Sequence, residues 1–335
     1  MSKKIIIGLT PGSESGVGPE LMIKALLDPR LLEGEYFWCG DKASLELAAK
    51  RASQDINFLS ADQAKLANGL KINFLSYSAP SPDILARQAW FLEQGANLGL
   101  HGNIHALVTG PINKHALRYL GSGYLAGQTE YFAQKWPVLN QKPLMAFMGG
   151  PFIMSLMTTH VPLKDVAKNL SINIILEHLE ALAKLCTKLA NKSKDKVIIH
   201  VLGLNPHAGE EGLLGSEEQE IIGPALKIAQ NRGLLVSGPF AADGYFAYFH
   251  EHKLENRPDA LVAMYHDQGL IAYKLLSQGA SVNVTLGLAL PRTSPAHGTA
   301  DDLAGKKLAS PESTINAILS ALKLARMSDL KTGIL

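Results

Sequence analysis

The sequence predicts an α/β fold, on three observations. Short apolar runs alternate with longer stretches of helical character. The runs are too uniformly apolar to be half-solvated strands. Glycine and proline gather where the runs end. In chain order, residues 4–9 (KIIIGL) form the first run, and the turn TPGSESGVGPE after it leads into a helix over 19–27, with Pro19 suited to the first turn. A second run at 34–39 (GEYFWC) precedes a helical stretch at 42–51. Runs follow at 105–110 (HALVTG), 142–148 (KPLMAFM) and 152–158 (FIMSLMT), then a helix over 172–189. The run at 196–204 (KVIIHVLGL) is followed by a helix over 216–231, and runs at 259–265 (DALVAMY) and 281–288 (SVNVTLGL) complete the set. Such alternation implies crossover helices joining largely parallel strands. No internal repeat, heptad pattern or low-complexity tract interrupts it, and the lysine-rich stretch at 191–196 reads as a solvated loop after a helix.

At 335 residues the chain is longer than one core usually supports, so two domains or one elaborate one are expected. Hydrophobic content of 47% with 19% charged residues is that of an ordinary globular protein. A net charge of +2 gives no electrostatic case for nucleic acid or for an acidic membrane surface as partner. Cys39 and Cys186 make no disulfide framework and match no metal spacing, and are expected as free thiols of a reducing compartment. The apolar stretch from Ile5 to Leu9 is too short for a signal peptide or a membrane span, so a cytoplasmic location is expected.

Candidate chemistry lies at the run ends. His160 follows FIMSLMTT, His207 follows VIIHVLGLNP, and His266 follows ALVAMY. Ligands collect at the carboxyl ends of parallel strands, so imidazoles from these ends could converge on one divalent metal. Gly16-Val17-Gly18-Pro19 does not supply the GxGxxG spacing, which argues against an ordinary Rossmann dinucleotide site. Thr109, Asn113 and Lys114 follow one run, and Gln128 and Thr129 precede a helix; such polar side chains can cap a helix or grip a phosphate. Glu210 stands near His207, and Asp267 adjoins His266 with Lys274 one or two helical turns on. A carboxylate beside a ligand histidine can orient it or act in catalysis. Arg292, Thr293, Ser294, His297, Gly298, Thr299, Asp301 and Asp302 crowd into a stretch read as a polar loop, suited to gripping a polar cofactor.

Taken in order, TPGSESGVGPE, VTGPINK, GQTE, TTHVPL, GLNPHAGE, AMYHDQGL, NVTLGL, RTS and HGTADDLAG resemble the 4-hydroxythreonine-4-phosphate dehydrogenase family of pyridoxal phosphate biosynthesis, from about residue 5 to residue 305. HGTADDLAG also resembles the adenosine-binding loop of isopropylmalate and isocitrate dehydrogenases. The resemblance implies an isopropylmalate-dehydrogenase-like fold of two α/β/α domains, residues 1–118 with 283–335 and residues 119–282, and an active site in the interdomain cleft. It implies a homodimer whose metal site is shared between subunits. His160, His207 and His266 fall on the family's metal ligands; Thr129, Lys274, Asn283 and Arg292 fall on substrate-binding positions, and Gln128 adjoins them. Asp243 and Asp267 match acidic positions near the substrate, while Arg292, Ser294, His297, Gly298, Thr299 and Asp302 fall in the region expected to hold the cofactor.

The implied reaction is NAD-dependent oxidation of 4-phosphooxy-L-threonine with decarboxylation to 3-amino-2-oxopropyl phosphate, NADP remaining open as cofactor. Imidazole ligands favour zinc, cobalt or nickel, and magnesium or manganese could serve. Lys274 and Asp267 are the candidates for the proton-handling group. Two positions depart from the family pattern: Gln128 where many members have histidine, and Ala296 where members typically have an acidic residue. They leave open the same chemistry on a four-carbon sugar-acid phosphate, erythronate or threonate 4-phosphate. A phosphate acyltransferase and a non-catalytic binding protein are the remaining alternatives.

Overall fold

The computed structural model describes residues 4–32, 34–121, 127–138, 143–249 and 257–327. The internal contacts divide the chain into two compact units, Met1–Pro143 with Ala280–Leu335, and Leu144–Gly279.

The first unit begins with β1 (Ile6–Thr10), α1 (Gly18–Leu26), β2 (Glu35–Trp38) and α2 (Lys42–Ala52). Asp41 starts α2 by accepting the Ser44 N–H at 2.9 Å, and Ser53, at φ 55°, ends it. Three short strands follow, β3 (Ile56–Phe58), β4 (Gln63–Leu66) and β5 (Lys71–Phe74), then α3 (Ile84–Leu100), β6 (Ala106–Thr109) and α4 (Gln128–Lys135). The second unit contains β7 (Leu144–Met148), β8 (Ile153–Leu156), α5 (Ile172–Ala190), β9 (Ile198–Leu202), α6 (Gly223–Asn231), β10 (Leu235–Phe240), α7 (Ala242–Ala247), β11 (Ala260–Ala263) and α8 (His266–Ser277). The chain then returns to the first unit as β12 (Val282–Leu286), β13 (Arg292–Pro295) and α9 (Glu312–Met327). Each apolar run expected as a strand contains one; Lys142, at the start of one run, lies outside the described residues.

The strand order in the first unit is β12-β13-β6-β1-β2-β5-β4-β3. From β13 to β5 neighbours run parallel, and the outer pairs, β12–β13, β5–β4 and β4–β3, are antiparallel. The order in the second unit is β10-β9-β11-β8-β7, with only the last of these, β7, antiparallel. In β13, Thr293 Oγ1 donates to the Ala317 carbonyl of α9, whereas the Arg292 guanidinium lies toward Phe132 of α4. Adjacent residues of a strand point to opposite faces, so helices cover both faces of this sheet. The core beneath α4 joins Leu92 and Ala96 of α3, Leu107 of β6, and Tyr131, Phe132 and Trp136. In the second unit α5 buries the stripe Ile175, Leu176, Leu179, Leu182, Ala183 and Cys186, at the spacing of one helix face. Cys39 and Cys186 are free and buried, and burial pushes both thiols up to about 12, so neither is a nucleophile at neutral pH.

Two elements correct the sequence expectation. Arg292–Pro295 is a buried strand, not the start of a polar loop. Arg292 finds partners on β6, β12 and α4 and Thr293 on α9, so their polarity does not expel them. The helix expected over 216–231 is not uniform: Glu218–Ile222 is wound as a π turn, closed by Gly223 N–H to the Glu218 carbonyl, before α6 begins. Pro224 has no N–H to continue the ladder, which removes the α-helical bond at that step. No helix among the described residues is long and apolar enough to cross a membrane.

Candidate functional site

In the second unit the chemistry gathers at the carboxyl ends of three neighbouring parallel strands. β11 lies between β9 and β8, and beyond their last residues come His207 after β9, His266 after β11 and His160 after β8. Thr158 is tied to the Met264 carbonyl through its N–H at 3.2 Å and its hydroxyl at 2.7 Å. These bonds hold the His160 and His266 segments side by side, with ring centroids 6.2 Å apart. Gln268 links the other pair of strand ends: its Oε1 accepts the Met264 N–H at 2.7 Å and its Nε2 donates to the Gly203 carbonyl at 2.6 Å. His266 opens α8, and its Nδ1 lies 2.7 Å from Asp267 Oδ1. An ionised carboxylate only accepts, so Nδ1 carries the hydrogen and Nε2 keeps a lone pair for a ligand. Lys274 is exposed on α8, seven residues after Asp267 and therefore on the same stripe, about 10 Å along the axis. Asp243 is exposed in the first turn of α7, which packs against the segment Pro206–Gly212 that carries His207.

The His160 and His266 rings lie side by side, and His207 follows the neighbouring strand β9. Among the described residues no group of three or more His, Cys, Asp or Glu side chains is gathered closely enough to hold a metal ion. The donor chemistry nonetheless fits a divalent transition ion: imidazoles on adjacent strand ends, one of them oriented by a carboxylate.

The first unit holds a different constellation. Arg292 is 3% exposed. Its Nε and Nη2 donate to Thr109 Oγ1 at 3.0 and 2.6 Å, Nη1 to Thr285 Oγ1 at 3.2 Å, and Nη2 to Gln128 Oε1 at 3.0 Å. Burial lowers its pKa to about 10, opposed by the charge of Glu130, and the guanidinium stays protonated at neutral pH. Among the described residues its hydrogen-bond partners are all neutral, so a buried cation stands without a bonded carboxylate, an arrangement that suits an incoming anion. Thr285 faces Arg292 and Asn283 faces Ser294 across the β12–β13 pair, so these four side chains share one face of the sheet. Asn283 Oδ1 and Glu130 Oε2 are buried without a hydrogen-bond partner, as a site awaiting a polar ligand would show. Gln128 and Thr129 are half-buried at the start of α4, and Gln128 Nε2 donates to the Gly110 carbonyl at 3.2 Å.

Past β13, residues 296–305 pack on the turn after β1. The Val17 N–H donates to the Thr299 carbonyl at 2.9 Å, and Ser15 Oγ to Asp301 at 3.0 Å. A Cβ on Gly16 would lie 2.3 Å from the Thr299 oxygen, so only glycine allows this approach. His297 Nδ1 lies 2.9 Å from the Gly298 carbonyl, and its Nε2 is buried without a partner. Gly298 and Asp302 are exposed and Ser294 is buried. This stretch, small in side chain and with an unsatisfied ring nitrogen, fits the polar groups of a nucleotide cofactor. Thr285, Glu130 and Gln268 escape the sequence reading: nothing marks a strand threonine, or a glutamate or glutamine in a helix, as part of a site.

A family model described as pyridoxal phosphate biosynthetic protein PdxA matches residues 33–321. A 4-hydroxythreonine-4-phosphate dehydrogenase of Bacteroides thetaiotaomicron is 37% identical over 339 residues, spanning 96% of this chain and 89% of the relative. One from Aquifex aeolicus is 36% identical over 326 residues, spanning 95% and 97%. The crystal structure of 4-hydroxythreonine-4-phosphate dehydrogenase from Klebsiella pneumoniae aligns with a TM-score of 0.78 at 29% identity, covering 96% of this chain and 98% of that one. A fold and length shared with such relatives, at this level of identity and over the residues that build both constellations, assign the chain to the PdxA family of pyridoxal phosphate biosynthetic proteins.

Proposed function

We propose that the chain is a 4-hydroxythreonine-4-phosphate dehydrogenase, oxidising and decarboxylating 4-phosphooxy-L-threonine to 3-amino-2-oxopropyl phosphate. The buried guanidinium of Arg292, bonded among the described residues to neutral oxygens, is the observation that carries this reading beyond family membership. A substrate with a carboxylate and a phosphate supplies the anion that Arg292 lacks. Thr109 and Thr285 hold the fork in place, and Asn283 offers its unpartnered Oδ1 to a substrate N–H or O–H donor. When bound, NAD and a divalent ion supply a hydride acceptor and a Lewis acid at the substrate oxygen. His160, His207 and His266 would hold the ion, zinc or cobalt by ligand type, with Asp267 fixing the His266 tautomer. Ser294, His297, Gly298, Thr299 and Asp302, with Arg292 at their head, would hold the cofactor.

Oxidation removes hydride from the carbinol carbon and the proton from its oxygen. Lys274 or Asp267 takes that proton, and the same stripe of α8 returns one to the enolate carbon once carbon dioxide has left. We further propose a homodimer. Leu163, Leu213, Ile271 and Leu275 are 70%, 82%, 64% and 75% exposed, and each follows one of the histidines within nine residues. Isolated exposed leucines are ordinary, but apolar side chains beside every histidine segment suit a covering subunit. A cytoplasmic location belongs to the same proposal.

The test is formation of reduced nicotinamide from NAD and 4-phosphooxy-L-threonine, with added divalent metal and again after chelation. Metal-dependent reduction supports the reading. No reduction by folded, metal-binding protein overturns the substrate, and erythronate and threonate 4-phosphate are then assayed, because Gln128 offers Arg292 a neutral amide.

A further inference from the structure

Glu218 is 5% exposed and belongs to neither constellation above. Its Oε1 accepts the N–H groups of Leu204 and Asn205 at 2.6 and 2.8 Å, and its Oε2 accepts from Asn205 Nδ2 at 2.9 Å. The same Asn205 amide donates to Glu217 Oε2 at 2.7 Å. Two residues beyond Asn205 the backbone enters the left-handed region and stays there: φ is 52° at His207, 52° at Ala208, 81° at Gly209, 41° at Glu210 and 57° at Glu211. Side chains other than glycine's disfavour this conformation at each step, so the turn does not hold itself. A Cβ on Gly209 would lie 2.7 Å from Glu218 Oε2, so the turn is moulded on the carboxylate. Glu218 begins the π turn, where the backbone widens at the point the carboxylate must reach.

We propose that Glu218 is a positioning residue for His207. Its carboxylate gathers the Leu204 and Asn205 donors and sets the left-handed turn from which the imidazole is presented, while Gln268 fixes the preceding Gly203 carbonyl to the strand end that bears His266. The proposal rests on His207 being a metal ligand, as read above. Outer groups hydrogen-bonded to a metal ligand are worth about 10–100-fold in metal affinity; Glu218 acts through the backbone that carries the ligand, and its effect is expected on that scale.

The test titrates full-length, metal-free protein with cobalt(II) alone, following its visible absorption, for wild type, Glu218→Ala, Glu218→Gln and His207→Ala. Amide hydrogen exchange over residues 203–212 is measured in parallel. Glu218→Ala is expected to bind cobalt about 10–100-fold more weakly and to exchange faster across the turn. Glu218→Gln keeps one acceptor oxygen for the two backbone donors and is expected to lose less on both measures; it carries the test if the alanine variant does not fold. Wild-type cobalt affinity in a folded Glu218 variant, or unchanged exchange across the turn, overturns the proposal, provided His207→Ala binds weakly. Wild-type affinity in His207→Ala instead overturns the metal reading on which the proposal stands.

Discussion

Arg292 and Gln128 would hold the proposed substrate anion through atoms that a conservative change would misplace. Lysine at 292 offers a single charged nitrogen in place of a planar fork, so it cannot serve Thr109, Thr285 and Gln128 together, and burial shifts it toward the neutral form. Arg292→Lys is therefore expected to lower kcat/KM about 10²-fold, or about 3 kcal/mol, in the nicotinamide assay. Gln128 accepts from Arg292 and donates to the Gly110 carbonyl. A neutral imidazole can do both, but a protonated one has no acceptor and sets a second cation beside a buried guanidinium. Gln128→His is expected to acquire an acid limb in kcat/KM at or below about pH 6.5 that the wild type lacks. Matching pH profiles for the two proteins would refute that role for the amide.

Among the elements, β8 and α5 are joined by Ser155 Oγ and His178 Nε2 at 2.7 Å. Burial lowers the His178 pKa to about 4 from an ordinary 6.5. The unfolded chain takes up this proton near pH 6.5 while the folded chain resists it down to about 4. The contribution is whole above about 6.5 and is lost as pH falls through that window, by up to roughly 1.4 kcal/mol per pH unit. Urea unfolding of wild type and His178→Gln at pH 7 and pH 5 checks this; the variant should lose the histidine's share of the slope. Elements also show what the sequence could reveal. The histidines after β8, β9 and β11 were legible because uniformly apolar strands end abruptly in polar residues. The strand β13 was not, because Arg292 and Thr293 look like loop until Thr109, Thr285 and the Ala317 carbonyl are seen to satisfy them. The helix α3 was hidden by Gly95 and Gly99, and β3 to β5 by strands of three or four residues. Glu218 sits in SEEQE, a run that reads as a solvated helix face, and only its three donors show otherwise.

For the whole molecule, the exposed apolar side chains beside the histidines bear on assembly. Ile271 and Leu275, four residues apart, lie on one face of α8, 64% and 75% exposed. Charging both, as Ile271→Glu with Leu275→Glu, is expected to turn a dimer into monomers by sedimentation velocity with the fold retained. A wild-type protein that sediments as a monomer would refute the homodimer. The order of the strands also bears on how the chain is made. β13 lies between β12 and β6 in the sheet, yet it is synthesised more than 180 residues after β6, once the whole second unit has been completed. During translation the contiguous second unit can fold as soon as it emerges, whereas β6, with Thr109 at its end, must wait as an open edge. A ribosome-bound chain halted once residue 279 has cleared the exit tunnel would hold a folded second unit while Thr109 still lacks Arg292, and through that interval the open edge of β6 is exposed to wrong pairing.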